Sequence, residues 1–246
     1  MRLRTFLKSS AEKFLGVRVF RTLPHGVDVF ADIRAQLPQI DIRTIFDVGA
    51  NVGQSALHYA ELFPMATIYA FEPVRATFDQ LKTATREHPR IAPFQLALSD
   101  TKGTARIHLE DSSDRASLVH RSFTDSPGAA EEVAVEQLDD FCRKRNVGHI
   151  DFLKIDTEGA DLSVLKGAAR MLGDQLIDLI EVEAGMSRMN TRHVPFGEFD
   201  RFLGERSYLL FGVYEQVLDW PTRSPMLRRT NPVFVSQRVV DANKAA

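Results

Sequence analysis

The sequence predicts an α/β fold: a doubly wound sheet of about seven strands, mostly parallel, finished by a C-terminal antiparallel hairpin and preceded by an N-terminal helical extension. Three observations predict it. Short apolar runs alternate with helical patterns from Thr44 onward. Ile45-Phe46-Asp47-Val48-Gly49-Ala50-Asn51-Val52-Gly53-Gln54 reads as a buried strand, a glycine turn and the start of a helix. Tyr69-Ala70-Phe71-Glu72-Pro73 reads as a second strand ending in a carboxylate, spaced from the first turn as in a nucleoside-binding pair.

The elements follow in order. The first strand is expected near 44–49, with its helix from Gln54 to Phe63 stopped by Pro64. A strand near 66–72 and a helix from Arg75 to Arg86, with Phe78 and Leu81 inward, lead to Pro89 and a third strand, Ile91 to Leu98. The next stretch is less regular. Lys102-Gly103 suggests a turn, Arg106 to Leu109 and Glu132 to Val135 suggest strands, and Ser112 to Ser126 is a polar loop closed by Pro127-Gly128. Residues 100–135 therefore read as an insertion or lid beside the site. Leu138 to Lys144 is helical. Alternation resumes with strand Ile150–Ile155, helix Ala160–Met171, strand Leu176–Val182 and helix Phe196–Leu203; Tyr208–Val213 and Pro232–Val235 close the sheet as an antiparallel pair.

Bulk properties fit one large domain, 41–246, behind an extension, 1–40. A hydrophobic fraction of 44% supports a sizeable core, and a net charge of −2 gives no reason to expect nucleic acid as a partner. The single cysteine, Cys142, cannot form an internal disulfide, and no signal peptide or bilayer-spanning run is visible. A cytoplasmic setting is expected. The first residues differ: Arg2, Arg4, Lys8, Lys13, Arg18 and Arg21 face only Glu12. With Leu3, Phe6, Leu7, Phe14 and Leu15 near helical spacing, they form a basic amphipathic segment suited to peripheral contact at the inner face of a membrane, or to packing on the domain with its charges in water.

The turn constrains the ligand. A dinucleotide fingerprint would read G-x-G-x-x-G, but here Asp47 stands first, before Gly49 and Gly53. A carboxylate there repels a pyrophosphate and can pair with an ammonium. S-adenosylmethionine carries an ammonium and a sulfonium and no phosphate, so it is the expected cofactor. Glu72 is placed to accept both ribose hydroxyls. Gly49 and Gly53 allow the tight turn and close approach of backbone to ligand. Asn51 either caps the following helix or donates to the methionine carboxylate, and Gln54 is a weaker contact. Adenine is expected beside Leu98, Ser99 and Asp100, with Leu98 on the ring and Ser99 or Asp100 at its amino group; Asp100 also suits a turn before Lys102-Gly103.

These segments resemble the FkbM-type family of S-adenosylmethionine-dependent methyltransferases. The likeness rests on Asp47-Val-Gly-Ala-Asn-Val-Gly53, Phe71-Glu-Pro73, Ala97-Leu-Ser-Asp100, Ile150-Asp-Phe-Leu-Lys-Ile-Asp-Thr-Glu-Gly159, Val164-Leu-Lys-Gly-Ala168 and Ile180-Glu-Val-Glu183, covering about 44–183. The first motif is shared by many class I methyltransferases; Lys-Ile-Asp-Thr-Glu-Gly is the family-specific one. The resemblance implies a class I, Rossmann-like fold and methyl transfer, usually to a hydroxyl oxygen of a sugar, glycan, polyketide or other secondary metabolite.

Asp156 leaves the fourth parallel strand where a ligand-facing residue belongs, with Lys154 and Glu158 two residues to either side. Glu181 and Glu183 project to one side of the next strand. Asp156 and Glu183 can hold Mg²⁺ with water and a substrate diol, which would acidify the acceptor hydroxyl. The alternative has no metal: Asp156 or Glu183 grips hydroxyls and His193, in Asn190-Thr-Arg-His-Val194, takes the proton. Two other functions share the same strand-turn-helix logic, a nicotinamide dehydrogenase and a cofactor-binding module without catalysis. Oligomeric state is left open.

Overall fold

The computed structural model describes residues 22–109, 116–117, 130–219 and 223–244, with the single positions 14, 16 and 20. The basic run through Arg21 and most of the polar loop at 112–126 lie outside the described residues.

The chain begins with α1 (Val29–Gln36), β1 (Thr44–Val48), α2 (Gln54–Leu62), β2 (Thr67–Phe71), α3 (Arg75–Ala84) and β3 (Ile91–Phe94). Then come β4 (Ala97–Leu98), β5 (Gly103–Leu109), β6 (Ala116–Ser117), β7 (Ala130–Glu136) and α4 (Leu138–Arg145). The second half contains β8 (Ile150–Ile155), α5 (Asp161–Lys166), α6 (Ala169–Gly173), β9 (Ile177–Val182) and β10 (Ala184–Gly185). It ends with α7 (Phe196–Gly204), β11 (Tyr208–Asp219), β12 (Ser224–Ser236) and α8 (Gln237–Lys244).

The main sheet runs β3-β2-β1-β8-β9-β12, with β10 also on β12 and β11 at its outer side. β3, β2, β1, β8 and β9 are parallel; β12 is antiparallel to β9 and to β11. The sheet counts eight strands where about seven are expected from the sequence. The extra one is β10, which continues the line of β9. The pairs Glu181–Val233, Ala184–Thr230 and Gly185–Arg229 keep one register, interrupted at Glu183.

Neighbouring residues on the central strands enter opposite layers, as strand alternation requires. Ile45, Phe152, Leu179 and Val233 join the core beside Phe30, Tyr59 and Leu81. Phe46, Leu153, Ile180 and Phe234 join the other core, beside Phe141, Leu165 and Phe199. Burying each such side chain contributes roughly 1.5–3 kcal/mol. Phe30, Ile33 and Leu37 bring α1 into the first core, so the boundary expected at residue 40 falls inside one packed unit.

Three expected elements differ. The strand from Ile91 to Leu98 divides, because Ala97–Leu98 leaves the main sheet to pair with β7 in a smaller four-stranded sheet, β4-β7-β5-β6. The helix from Ala160 to Met171 splits at Gly167, where a Cβ would lie 2.0 Å from the Ser99 carbonyl oxygen. The closing hairpin is longer than its apolar runs, because the stretches that extend it, 214–219 and 224–231, mix polar and exposed residues and carry little hydrophobic signal. No helix among the described residues is long and apolar enough to cross a membrane.

Candidate functional site

Strand order reverses between β1 and β8: β2 and β3 lie on one side, β9 and β12 on the other. In a doubly wound sheet the crevice at that reversal, beyond the carboxyl ends of the strands, is the ligand site. Glu72, the Gly49–Gly53 turn and Asp156 all lie there.

The turn is built by close packing. Gly49 has φ +85, and a Cβ on it would lie 1.9 Å from the Asp156 carbonyl oxygen, so β1 and β8 approach too closely for any side chain. Gly53, at φ +100, would push a Cβ against Leu81 Cδ1 at 2.9 Å. Both glycines therefore answer to neighbouring protein, where ligand approach was expected. Asn51 takes the left-handed conformation, φ 50, and does not cap α2; Gly53 holds that position without a side-chain bond. Asn51 instead offers its backbone to Glu72. Gln54 starts α2 with its side chain exposed.

Glu72 follows β2, is only 8% exposed, and accepts a hydrogen bond from Val74 N at 2.9 Å. Burial pushes its carboxyl up to about 7, against the backbone bonds from Val74 and Asn51 that favour the charged form. A carboxylate kept partly desolvated, with no cation partner among the described residues, suits a pair of neutral hydroxyl donors.

The adenine expectation is only partly accommodated. Leu98 is 1% exposed and packed in the core that contains Phe71 and Phe141, so it cannot also cover a ring. Ser99 and Asp100 do reach the surface, but toward each other: Ser99 Oγ donates to Asp100 Oδ1 at 3.1 Å. Gln137 Nε2 holds the Asp100 carbonyl at 2.7 Å.

Asp47 is fully buried, and the cation beside it belongs to the chain: Lys154 Nζ lies 3.6 Å from its Oδ1, a charge contact longer than a hydrogen bond. Lys154 donates to Asp156 Oδ2 at 3.1 Å. Burial alone would lower the Lys154 pKa, but Asp156, Asp47 and Glu181 outweigh it, so the lysine stays charged. Asp47 is shifted upward, chiefly by burial and despite Lys154. The expected pairing of Asp47 with a ligand ammonium is thus replaced by an internal one. Period-two spacing carries this: Lys154 on β8 and Asp47 on β1 are register partners.

Asp156 does not cap a helix. The turn after it closes on Asp161, whose Oδ2 accepts from Thr157 Oγ1 and Gly159 N, both at 3.1 Å. Glu158 and Gly159 take positive φ, 53 and 107, to make the turn. Glu158 is held by Arg192 at 2.7 Å.

Glu183 and His193 do come together, with Nε2 2.6 Å from Oε2, and Arg229 pairs with the other Glu183 oxygen. Asn190 fixes the histidine. Its Nδ2 donates to the Arg228 carbonyl at 3.0 Å, so its Oδ1 must be the atom 3.0 Å from His193 Nδ1. Nδ1 is then a donor. A carboxylate cannot donate, so a proton lies between Nε2 and Glu183. Glu158 Oε2 is 3.8 Å from the same nitrogen, completing a group of two carboxylates and a histidine that excludes Asp156.

Asp156 and Glu183 share a wall of a cavity of about 480 Å³ between the sheet and the helices α1 and α2. Sequence reasoning missed much of its lining: Asp28, which caps α1, Arg34 from α1, and Glu215, Arg229 and Asn231 from the hairpin. No local motif marks these residues, because they meet only when both ends of the chain fold onto one face. Lys154, Glu181 and Glu183 were legible from their two-residue spacing.

Residues 47–210, about two thirds of the chain, match the family model described as the methyltransferase FkbM domain. The chain is 29% identical over 143 residues to the hexuronic acid methyltransferase AglP of Haloferax volcanii, covering 58% of this chain and 56% of that protein. It is 26% identical over 141 residues to the 2-O-methyltransferase NoeI of Sinorhizobium fredii, covering 52% and 58%. It is 30% identical over 152 residues to the 31-O-demethyl-FK506 methyltransferase FkbM of Streptomyces tacrolimicus, covering 50% and 58%. In each case the chain spans less than two thirds of the relative's own length. The motifs at Asp47, Glu72, Asp156 and Glu183 all fall within the matched segment, and the chain belongs to the methyltransferase FkbM domain family.

Proposed function

We propose that this protein is an S-adenosylmethionine-dependent O-methyltransferase acting on a hydroxyl of a sugar, glycan or secondary metabolite. The observation that carries the reading is Glu72, a nearly buried carboxylate with no cation partner among the described residues, at the strand-order reversal of a family member. The Haloferax, Sinorhizobium and Streptomyces relatives, two of them named for transfer to oxygen, support the acceptor class.

The residues present fit the cofactor. Glu72 would hold the ribose, and the Gly49–Gly53 turn, with Asn51 and the exposed Gln54, the methionine end. Ser99 and Asp100 are the surface polar groups left for the adenine. When bound, S-adenosylmethionine supplies an electrophilic methyl on a sulfonium. The cavity wall of Asp156 and Glu183 would orient the acceptor hydroxyl for in-line attack, an alignment able to supply several kcal/mol of the barrier. As the O–C bond forms and the C–S bond breaks, the hydroxyl proton would pass to Glu183 while the proton it shares with His193 moves fully onto Nε2, a role worth roughly 10²–10⁴-fold.

Mg²⁺ between Asp156 and Glu183 does not fit the groups present. Lys154 occupies Asp156, and Arg229 and His193 occupy Glu183, so a dication would meet cations where it needs free oxygens. No step is assigned to a metal, and turnover should survive exhaustive EDTA. The small sheet containing β5 and β7 is read as the base of a lid, and the basic N-terminal run as a peripheral membrane contact.

Calorimetric titration with S-adenosylhomocysteine, against NAD as control, tests the cofactor. Release of S-adenosylhomocysteine on a panel of glycosides tests the reaction. The reading expects Asp156→Asn to cut turnover far more than cofactor affinity; binding of NAD in place of S-adenosylhomocysteine would end it.

A further inference from the structure

The cavity's polar lining is unbalanced. Six carboxylates, Asp28, Asp156, Glu158, Glu181, Glu183 and Glu215, face three cations, Arg34, Lys154 and Arg229. Two of those cations are engaged within the chain, Lys154 with Asp156 and Asp47, and Arg229 with Glu183. Glu181 and Glu215 have no salt-bridge partner among the described residues. They share one amide, Asn231 Nδ2, which lies 3.4 Å from Glu181 Oε1 and 3.1 Å from Glu215 Oε2.

That amide adds an independent observation. With Nδ2 committed to two carboxylates, the side-chain orientation of Asn231 is fixed and its Oδ1 is the remaining acceptor. Asn231 is 7% exposed, lines the cavity, and its Oδ1 has no hydrogen-bond partner. A buried acceptor without a donor costs about 1–3 kcal/mol. Backbone strain is concentrated beside it: Glu215 sits at φ 46, where the β11–β12 register shifts between Tyr214 and Val217. The acceptors here, Asn231 Oδ1 and the carboxylate oxygens of Glu181 and Glu215, outnumber the one amide nitrogen that serves them.

The geometry points to a subsite formed by Glu181, Glu215 and Asn231 for a hydrogen-bond-donating part of the acceptor substrate that carries no negative charge, such as the hydroxyls of a neutral sugar or the ammonium of an amino sugar. The subsite rests on the methyltransferase reading and goes beyond it, because Glu215 and Asn231 lie outside the family-matched residues 47–210. For the same reason the uronate named for the Haloferax relative does not carry over.

The test compares methyl glucoside, methyl glucuronide and methyl glucosaminide, which differ in one substituent, by ligand-observed NMR on protein saturated with S-adenosylhomocysteine. The glucoside or glucosaminide should bind, and the glucuronide should bind at least about tenfold more weakly, the size expected of a like charge beside a partly screened carboxylate. Glu215→Gln, an isosteric change at an exposed position, should narrow that gap at least about threefold. Glucuronide binding equal to or tighter than glucoside, binding of none of the three, or a gap unchanged in Glu215→Gln would each overturn the subsite. Failure of S-adenosylhomocysteine itself to bind is read separately by calorimetry and would remove the methyltransferase reading beneath it.

Discussion

Replacing Glu72 by Gln should make the empty protein more stable and its cofactor binding weaker. The carboxyl is raised from an ordinary 4.5 to about 7, mainly because burial strips water from its charged form. At about 1.4 kcal/mol per pH unit, ionised Glu72 costs the empty fold roughly 3 kcal/mol at pH 8. Gln keeps the shape and can still accept from Val74 N, so the variant should recover most of that at pH 8 and almost none at pH 5. Cofactor binding should move the opposite way. Bonds to a charged acceptor contribute about 1.5–3 kcal/mol, so affinity at pH 8 should fall roughly tenfold to a hundredfold or more. The wild type should lose about tenfold in affinity for each unit below pH 7, because binding must first expel a proton, whereas the variant lacks that term. The ligand's own ammonium titrates equally against both proteins, so the difference between the two profiles isolates Glu72. Urea denaturation and calorimetry with S-adenosylhomocysteine at pH 5, 6, 7 and 8 measure both quantities. Equal affinities for the two proteins, or parallel pH profiles, would show that Glu72 does not hold the ribose.

The remaining predictions use other parts of the fold. Gly49→Ala should abolish folding or cost more than about 4 kcal/mol, since its Cβ would fall 1.9 Å from a backbone oxygen; Gly173→Ala, with open space around it, should be neutral within about 1 kcal/mol by thermal melting. Stability should decline from pH 5 to 8. Glu72, Asp161 and Glu181 are each pushed up to about 7, chiefly by burial, so between their unfolded values and 7 the folded state binds more protons than the unfolded chain. His149, raised by its hydrogen bond to Asp178, adds a contribution of the same sign. Each of the three carboxyls costs about 2.5 kcal/mol over that range, so a fall in melting temperature of roughly 15–30 °C is expected, and a rise would refute the burial argument. His193→Gln should lower kcat by about 10²-fold or more while leaving S-adenosylhomocysteine affinity within about twofold; equal losses in both would assign His193 to cofactor binding.

The layers of this protein were legible because they rest on local rules. A short, mostly apolar run such as Ile150–Ile155, with Phe152 and Leu153 on opposite faces, is buried on both faces of a sheet, and a glycine turn between strand and helix needs only its neighbours in sequence. The pairing of Glu181 with Glu183, and of Lys154 with Asp156, followed from the two-residue period of a strand. What local rules could not decide was which partner each charged group would find. Asp47 was expected to await a ligand, but β1 and β8 are adjacent, so Lys154 reaches it first. Leu98 was expected on the adenine, but it turned into the core when β4 left the main sheet.

Composition and pattern by themselves determined the α/β class, most of its strands and helices in order, and the carboxylate at the end of β2; the family followed from the resemblance of its motifs. Only the tertiary structure decided the occupants of the large cavity, because Asp28, Glu215 and Asn231 are brought together from sequence positions nearly two hundred apart. A strand or helix is selected by near neighbours, whereas a pocket's charge is a sum over residues that are neighbours only after folding.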